Sequence, residues 1–504
     1  MTREQTLPNG GTVAVADIPR LSEAEFRRCV GDGVRASARV AALFGAPADD
    51  GGVRLYALLA WKDRGLLSVA AVAVANRYAA LTPECEQVHL FEREIAEQWR
   101  VEPEGHPWLK PVRYERPRRE GRDLWPGQGG PPPCGTAGFF RIEGEEVHEV
   151  AVGPVHAGII EPGHFRFQCH GETVLHLEIA LGYQHRGIER ALPDCPRDRL
   201  LHYVETLAGD TTVGHAYAHC RAMEALARSR VPARAQVIRG IALELERIAN
   251  HIGDLGALAG DVGFLPTLSY CGRIRGDVLN LTAALCGNRF GRGLLRPGGV
   301  GFDTDADTVA RIGVRLKAAM RDTESAVGLL WDTPSVLARF EGAGPVSGET
   351  AARIGLVGPA ARASGIEADV RRDFPYGIFR LSQIPVITAK TGDVFARAFV
   401  RWQETVRSAA YIAEQLEALP DGDVCAECGE PAPGRLAAAM VEGWRGEICH
   451  VVITGEDGRI AHYKVVDPSF HNWFGLACAL RGQQISDFPL CNKSFNLSYC
   501  GHDL

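Results

Sequence analysis

The sequence predicts an α+β protein in two parts: a small α/β N-terminal part, then a larger, mainly helical part edged by small antiparallel sheets. Three observations predict it. Continuous apolar runs near the N-terminus, RLYALLAW and LLSVAAVAVA, read as strands. A long stretch with helical period, QVIRGIALELERIANHIGDL, lies mid-chain. Two segments that alternate around glycine turns read as hairpins.

Taken in order, Ser22 to Phe44 reads as helical, followed by the two apolar strands. In VHLFEREIAEQW, the residues Leu90, Phe91, Ile95 and Trp99 fall near one face of an amphipathic helix. The stretch PVRYERPRREGRDLWPGQGGPPPCGTAG is crowded with Pro, Gly and Arg and cannot sustain a regular element. It reads as a linker over 111–138, which divides the chain into parts spanning 1–110 and 139–504. The second part opens on a hairpin: HFRFQC and TVLHLEIAL alternate apolar and polar about HGE. Next, Val237, Ile241, Leu245, Ile248, Ile252 and Leu255 recur at steps of three and four and predict a helix with a buried face. Further helices are expected near 199–229, 275–288, 306–334 and 392–417. A late hairpin, ICHVVITGEDGRIAHYKVVD, turns around EDGR, its first strand starting near Ile448.

Length and composition narrow the class. The chain has 504 residues, is 46% hydrophobic and 23% charged, and carries a net charge of −7. It is long enough for large cores, and its charge gives no reason to expect nucleic acid or an anionic lipid surface. The opening MTREQTLPNGG lacks the apolar core of a signal peptide. The longest apolar run, LLSVAAVAVA, falls short of the roughly 20 residues of a membrane span. Membrane contact is therefore expected through a partner, from the cytoplasmic side. The 14 cysteines are scattered, as in a reduced protein. Cys425 and Cys428 form a C-x-x-C pair: half a zinc site, a redox pair, or a loop with two thiols.

Motifs from both parts point the same way. FEREIAEQWRVEPEGHP, from Phe91 to Pro107, resembles the signature of the C subunit of respiratory complex I. GPVHAGIIEPGHFRF, GYQHRGIER, ARASGIEADVRRDFPY and TGDVFARAFVRWQE resemble the D subunit of that complex. They resemble equally the large subunits of membrane-bound group 4 [NiFe] hydrogenases of the formate hydrogenlyase type. A C-like domain fused to a D-like domain is the layout of those large subunits, and the resemblance runs through nearly the whole chain in matching order.

In that family four thiolates hold nickel and iron, in R-x-C-G-x-C-x-x-x-H and in D-P-C-x-x-C near the C-terminus. Here the first stretch is TLAGDTTVGH, which puts Ala208 and Thr211 at the thiolate positions and keeps His215. The second is NLSYCGHDL, with Ser498 and Gly501 at the other two. Ala and Gly cannot ligate, and neutral hydroxyls are poor ligands for a soft metal. The resemblance therefore implies no nickel site and no hydrogenase activity. Cys500 lies between the ligand positions, and with His502 it could join a different metal site.

In complex I the corresponding cavity ends a quinone tunnel, with a histidine near the first hairpin and a tyrosine on the helix after the H-R-G motif. Gly209 stands at the tyrosine position; Tyr203 and Tyr217 lie about two turns away if the segment is helical throughout. His156 and His164 both reach the histidine position. His156, His164, Asp210 and His215 are thus the candidates for a quinone cavity or proton path, with Glu161, Arg166 and His170 nearby. Arg247 and His251, at i and i+4, are candidate contacts to an iron–sulfur partner. His185, Arg186, Gly187, Glu189, Arg362 and Asp369 are motif residues expected to brace the pocket, Arg186 and Glu189 by pairing with each other.

The resemblance implies a peripheral subunit on the cytoplasmic face of the cell membrane, linked to NAD(P)H or ferredoxin and to a quinone-type acceptor, and coupled to ion movement. Expected partners are a complex I B-type subunit carrying a [4Fe–4S] cluster and antiporter-like membrane subunits. No cofactor is expected to be held firmly by this chain; no G-x-G-x-x-G follows a strand, so NAD would bind elsewhere in the assembly. A scaffold that kept the fold after losing the metal is the alternative.

Overall fold

The structure is a computed structural model that describes residues 4–48, 51–121, 124–125, 133–155 and 160–504. In the N-terminal part, Arg39–Pro47, Val53–Trp61 and Leu66–Val74 form an antiparallel meander, extended at one edge by Gln5–Pro8. These strands are buried along almost their whole length, which explains their unbroken apolar runs. Helix Glu23–Arg35 starts on a capping box, Ser22 accepting from the Glu25 N–H while the Glu25 carboxylate accepts from the Ser22 N–H.

The helix expected over Ser22 to Phe44 is corrected here. It stops at Arg35, the chain turns at Ser37 with φ of +79°, and the rest is the Arg39–Pro47 strand. Pairing with Val53–Trp61 buries this run in a sheet, a long-range gain that local propensity does not contain.

Helix His89–Trp99 lies where the periodicity places it, but it has no solvent face: every residue from Leu90 to Trp99 is buried. Its charged residues are used internally. Glu97 accepts from the N–H groups of Val112, Arg113 and Glu115, and Arg93 donates to the carbonyls of Lys110 and Pro111. The first residues of the expected linker are therefore strapped to this helix.

The second part is built on the 29-residue helix Ala233–Asp261, packed beside Leu265–Cys286 and Val394–Glu417, with Ala306–Trp331 against the latter two. The expected hairpin His164–His170/Thr173–Ala180 is present, and Val147–Val152 adds a third strand. The late hairpin pairs Gly446–Thr454 with Ile460–Val466. It belongs to a four-stranded sheet in the order Ile460–Val466, Gly446–Thr454, Arg435–Gly443, Gly11–Ala14. The last strand comes from the N-terminal part, so the two parts share a sheet. Asn9 fastens this edge, its amide donating to the Phe374 and Met440 carbonyls and accepting from the Met440 N–H.

The expected helix near 199–229 is two helices, Leu200–Val204 and Thr212–Ala227. The break between them holds Ala208, Gly209, Asp210 and Thr211. The segment is therefore not helical throughout, the condition that put Tyr203 and Tyr217 about two turns from position 209: Tyr203 is 41% exposed, whereas Tyr217 is 1% exposed.

Candidate functional site

The fold brings together the two segments that carry the expected ligand positions, 208–211 and 498–501. Short helix Tyr499–Asp503 is capped at Ser498, whose Oγ accepts from the Gly501 N–H at 2.9 Å. Cys500 is half-buried, and the Gly209 N–H points to its sulfur. Burial pushes the Cys500 thiol up to about 11, with Glu161 adding to the shift. Glu161, from the loop before the first hairpin, accepts from the N–H groups of Tyr499 and Cys500 at 3.1 and 3.3 Å.

The ground between these segments is taken by side chains from the late sheet and its exit. A Cβ at Gly501 would sit 2.7 Å from the Asp467 carboxyl group. Asp467 caps helix Pro468–Ala479 and receives the His215 ring at 3.0 Å. Arg445 forks onto Asp210 at 2.6 and 2.8 Å and lies 3.8 Å over the Trp444 ring. Trp444 in turn donates to the Asp210 carbonyl and to Thr211 Oγ1. Burial works against charge on Asp210, but Arg445 outweighs it and holds the carboxyl below its usual range. Asp467 is likewise held low: burial opposes the charge, and the His215 hydrogen bond and nearby Arg445 overcome it. Asp210 and His215 are thus brought into one constellation, linked through Arg445 and Asp467.

Glu246 closes the same corner from the long helix. It accepts from the Val213 and Gly214 N–H groups at the start of helix Thr212–Ala227, at 2.7 and 3.1 Å. Burial, with Asp210 nearby, nevertheless raises its carboxyl to about 8.

The other sequence candidates fall elsewhere. His156 lies outside the described residues. His164 is buried at the start of its strand, its ring against the Gly153 carbonyl at 3.2 Å and Arg166 Nε at 3.2 Å. His170 is exposed and pairs with Glu146 on the surface. His185 bonds the Asp503 carbonyl at 2.8 Å, and Gly187, in the left-handed region at φ of +71°, turns its N–H to the Leu504 carbonyl at 3.1 Å. The expected Arg186–Glu189 pair is corrected. Arg186 donates to the Thr206 and Leu207 carbonyls, while Glu189 meets Lys464 at 3.0 Å and Arg118 at 3.4 Å. The turn at Gly187 points the two neighbouring side chains to different layers.

Arg247 and His251 do share a side of the long helix, but both are fully buried in this chain. Arg247 pairs with Glu244 at 3.0 Å and donates to the Glu442 and Gly443 carbonyls; His251 bonds Glu404 at 2.9 Å. Arg362 bridges Glu404 at 2.7 Å and Glu442 at 2.8 Å, and Asp369 pairs with Arg371 at 2.6 Å. The set holds Arg247, Arg362 and Arg371 against Glu244, Asp369, Glu404 and Glu442. Burial, together with Asp369, raises the Glu442 carboxyl. Beside it, a cavity of about 400 Å³ opens between the two parts of the chain, lined by Arg39, Lys62, Gln87, Asp369, Glu442 and Glu447 among others.

The sequence reasoning missed Arg445, Asp467, His450, Glu404 and Glu442. A charge or histidine inside an otherwise apolar strand, as in GEICHVVIT, was the available signal for His450. Cys425 is exposed and Cys428 half-buried, on a loop hydrogen-bonded to the backbone of Gly298 and Val300. Among the described residues, no three His, Cys, Asp or Glu side chains converge as a metal-binding group.

Comparison with known proteins places these features in context. A family model described as respiratory-chain NADH dehydrogenase, 49 kDa subunit, matches residues 261–432. The carbon monoxide-induced hydrogenase of Rhodospirillum rubrum is 32% identical over 353 residues, 69% of this chain and 97% of that protein. Formate hydrogenlyase subunit 5 of Escherichia coli strain K12 is 28% identical over 451 residues, 86% of this chain and 78% of that one. The D subunit of NADH-quinone oxidoreductase from Carboxydothermus hydrogenoformans is 31% identical over 344 residues, 67% of this chain and 93% of that one.

Proposed function

The chain belongs to the family of the respiratory-chain NADH dehydrogenase 49 kDa subunit, and on that footing we propose that it is a subunit of a membrane-associated respiratory oxidoreductase complex. It docks on an iron–sulfur subunit of the complex I B type and, through antiporter-like subunits, on the cytoplasmic face of the cell membrane. Electrons arriving from the iron–sulfur partner pass to a quinone or another acceptor, coupled to ion translocation. Among the described residues, no helix is long and apolar enough to cross a membrane, in keeping with attachment through partners.

The observation that carries this reading is the filled ligand ground. A nickel–iron centre does not fit the residues present: Ala208, Thr211, Ser498 and Gly501 offer no thiolate, and a side chain at 501 would meet the Asp467 carboxyl at 2.7 Å. What replaces the metal is a set of groups suited to protons and polar head groups, namely Asp210, Arg445, Asp467, His215 and Glu246. The quinone half of the reading rests on different donors from the family's, because Gly209 stands at the tyrosine position.

A second reading, a scaffold with no redox step, is favoured by the closed Arg445–Asp210 pairing, which satisfies both groups without a ligand. Purifying the tagged chain from its native membranes separates the two. The oxidoreductase reading expects an iron–sulfur subunit and polytopic subunits to copurify, with no stoichiometric nickel. It expects D210N and H164Q to lower donor–quinone turnover at least about tenfold without dissociating the complex. An intact complex with unchanged turnover in both variants supports the scaffold; stoichiometric nickel overturns both readings.

A further inference from the structure

A file of hydrogen-bonded rings runs through the interior, apart from the Asp210–Arg445 pairing. His215 Nδ1 lies 3.1 Å from His450 Nε2; His450 Nδ1 lies 2.9 Å from the Tyr463 hydroxyl; that hydroxyl lies 2.9 Å from His219 Nδ1. With the 3.0 Å bond from His215 Nε2 to Asp467, this makes an unbroken file of five side chains. They come from helix Thr212–Ala227, from two adjacent strands and from the helix cap at Asp467. His215, His450 and Tyr463 are completely buried, Asp467 is 1% exposed and His219 2%.

We propose that Asp467, His215, His450, Tyr463 and His219 form a proton relay between the ground beneath Gly501 and the outer seam of helix Thr212–Ala227.

The orientation of the file follows from donor and acceptor counting. The ionised Asp467 only accepts, so His215 carries its proton on Nε2 and leaves Nδ1 to accept. His450 must then donate from Nε2 and accept at Nδ1, so Tyr463 donates to it. The tyrosine oxygen in turn receives the Nδ1–H of His219. All four hydrogens therefore point toward Asp467, and the outermost nitrogen, His219 Nε2, is left to accept. Burial disfavours charge on two of the rings: it pushes His219 down to about 4 and His450 well below the usual histidine range. Glu189, a carboxylate outside the file whose charge acts on His450, is already held by Lys464 at 3.0 Å.

The transfer balances. A proton arriving on His219 Nε2 releases the one on Nδ1 to Tyr463, whose own proton passes to His450 Nδ1. His450 gives its Nε2 proton to His215 Nδ1, and His215 gives its Nε2 proton to Asp467. One proton enters, Asp467 gains one, and the three rings exchange tautomers. Running the same steps backwards returns the proton to His219 Nε2, so the file equilibrates a proton on Asp467 with the outer seam. At the outer end, Met223, one turn beyond His219, lines a surface cleft of about 750 Å³ together with Leu200 and Ile460.

What the complex would do with these protons rests on the oxidoreductase reading; whether the relay exists does not. The test uses the full chain labelled with ¹⁵N-histidine. NMR should find His215 and His450 protonated at Nε2 and His219 at Nδ1. Ring N–H exchange of His215 and His450 with solvent should slow about tenfold or more in Y463F, which keeps the ring and removes the hydroxyl. The backbone amides of Ile460–Val466 should keep their protection. H219Q, which can donate to Tyr463 but cannot hand on a proton, should slow exchange equally and stands in if Y463F misfolds. The opposite tautomer at His215, or wild-type exchange rates in the folded variants, overturns the relay and leaves a static hydrogen-bonded chain. Failure of the chain to copurify with partners would sink the oxidoreductase reading and leave this result standing.

Discussion

Gly501 shows how one missing side chain reorganises its surroundings. With no Cβ, its backbone packs directly on the Asp467 carboxyl, which is thereby free to receive His215. G501A is expected to destabilise the chain by about 1–3 kcal/mol through overpacking, read as a lower urea midpoint with an unchanged slope. An unchanged midpoint would mean that the tail carrying Ser498 relaxes away. Glu246 makes a second single-residue statement. Its carboxyl is raised from the ordinary 4.5 to about 8, so between those values the folded chain holds a proton that the unfolded chain has released. Its contribution to stability is complete at low pH and declines by about 1.4 kcal/mol per unit as pH rises toward 8. Above that it levels off. E246Q, which cannot ionise, should therefore gain on the wild type between pH 5 and pH 8, with urea titrations at both pH values as the check. A constant difference would place the Glu246 pKa near its ordinary value.

Helix His89–Trp99 shows where pattern reading stops. The spacing of Leu90, Phe91, Ile95 and Trp99 announced a helix, and one is there. The same pattern implied a wet face, and there is none. Glu94 lies against Lys464 at 2.6 Å and against Arg113, both drawn from outside the helix. A charged residue on a helix looks the same in sequence whether water or a distant lysine will cover it. K464M would remove one of the two cations that Glu94 and Glu189 share, leaving Arg113 between them, and is expected to cost about 1.5–3 kcal/mol. The double variant E94Q/K464M should cost less than the sum of the single ones by about 0.5–3 kcal/mol, measured by a double-mutant cycle in urea. Additive costs would show that the two groups do not interact. The segment Ser22 to Phe44 failed differently. Its first half obeyed its capping box, but its second half was claimed by the neighbouring strand Val53–Trp61.

Across the molecule, the Gly11–Ala14 strand crosses the expected division and completes the edge of the sheet that carries His450 and Tyr463. Residues 139–504 made alone would expose the edge of Arg435–Gly443 as an open template for aggregation. Expressed separately, that fragment should be insoluble, and coexpression with residues 1–121 should restore it; a soluble, monomeric fragment would contradict this. The Pro- and Gly-rich composition beyond residue 110 was legible, because those residues report local chain stiffness. The strand exchange was not, because four residues of GTVA carry no mark of the partner they will find.

Family membership, the long helix of the second part, both hairpins and the absence of cysteine at positions 208, 211, 498 and 501 could be read from residue identities and their spacing, since each depends on neighbours along the chain. What fills the ground between those positions could not. His215 and Asp467 are 252 positions apart, Asp210 and Arg445 are 235 apart, and Arg362 and Glu442 are 80 apart. Such pairings are set by the burial of charge at points where distant segments cross. There, desolvation is severe enough that only a specific partner at hydrogen-bonding distance makes the arrangement stable.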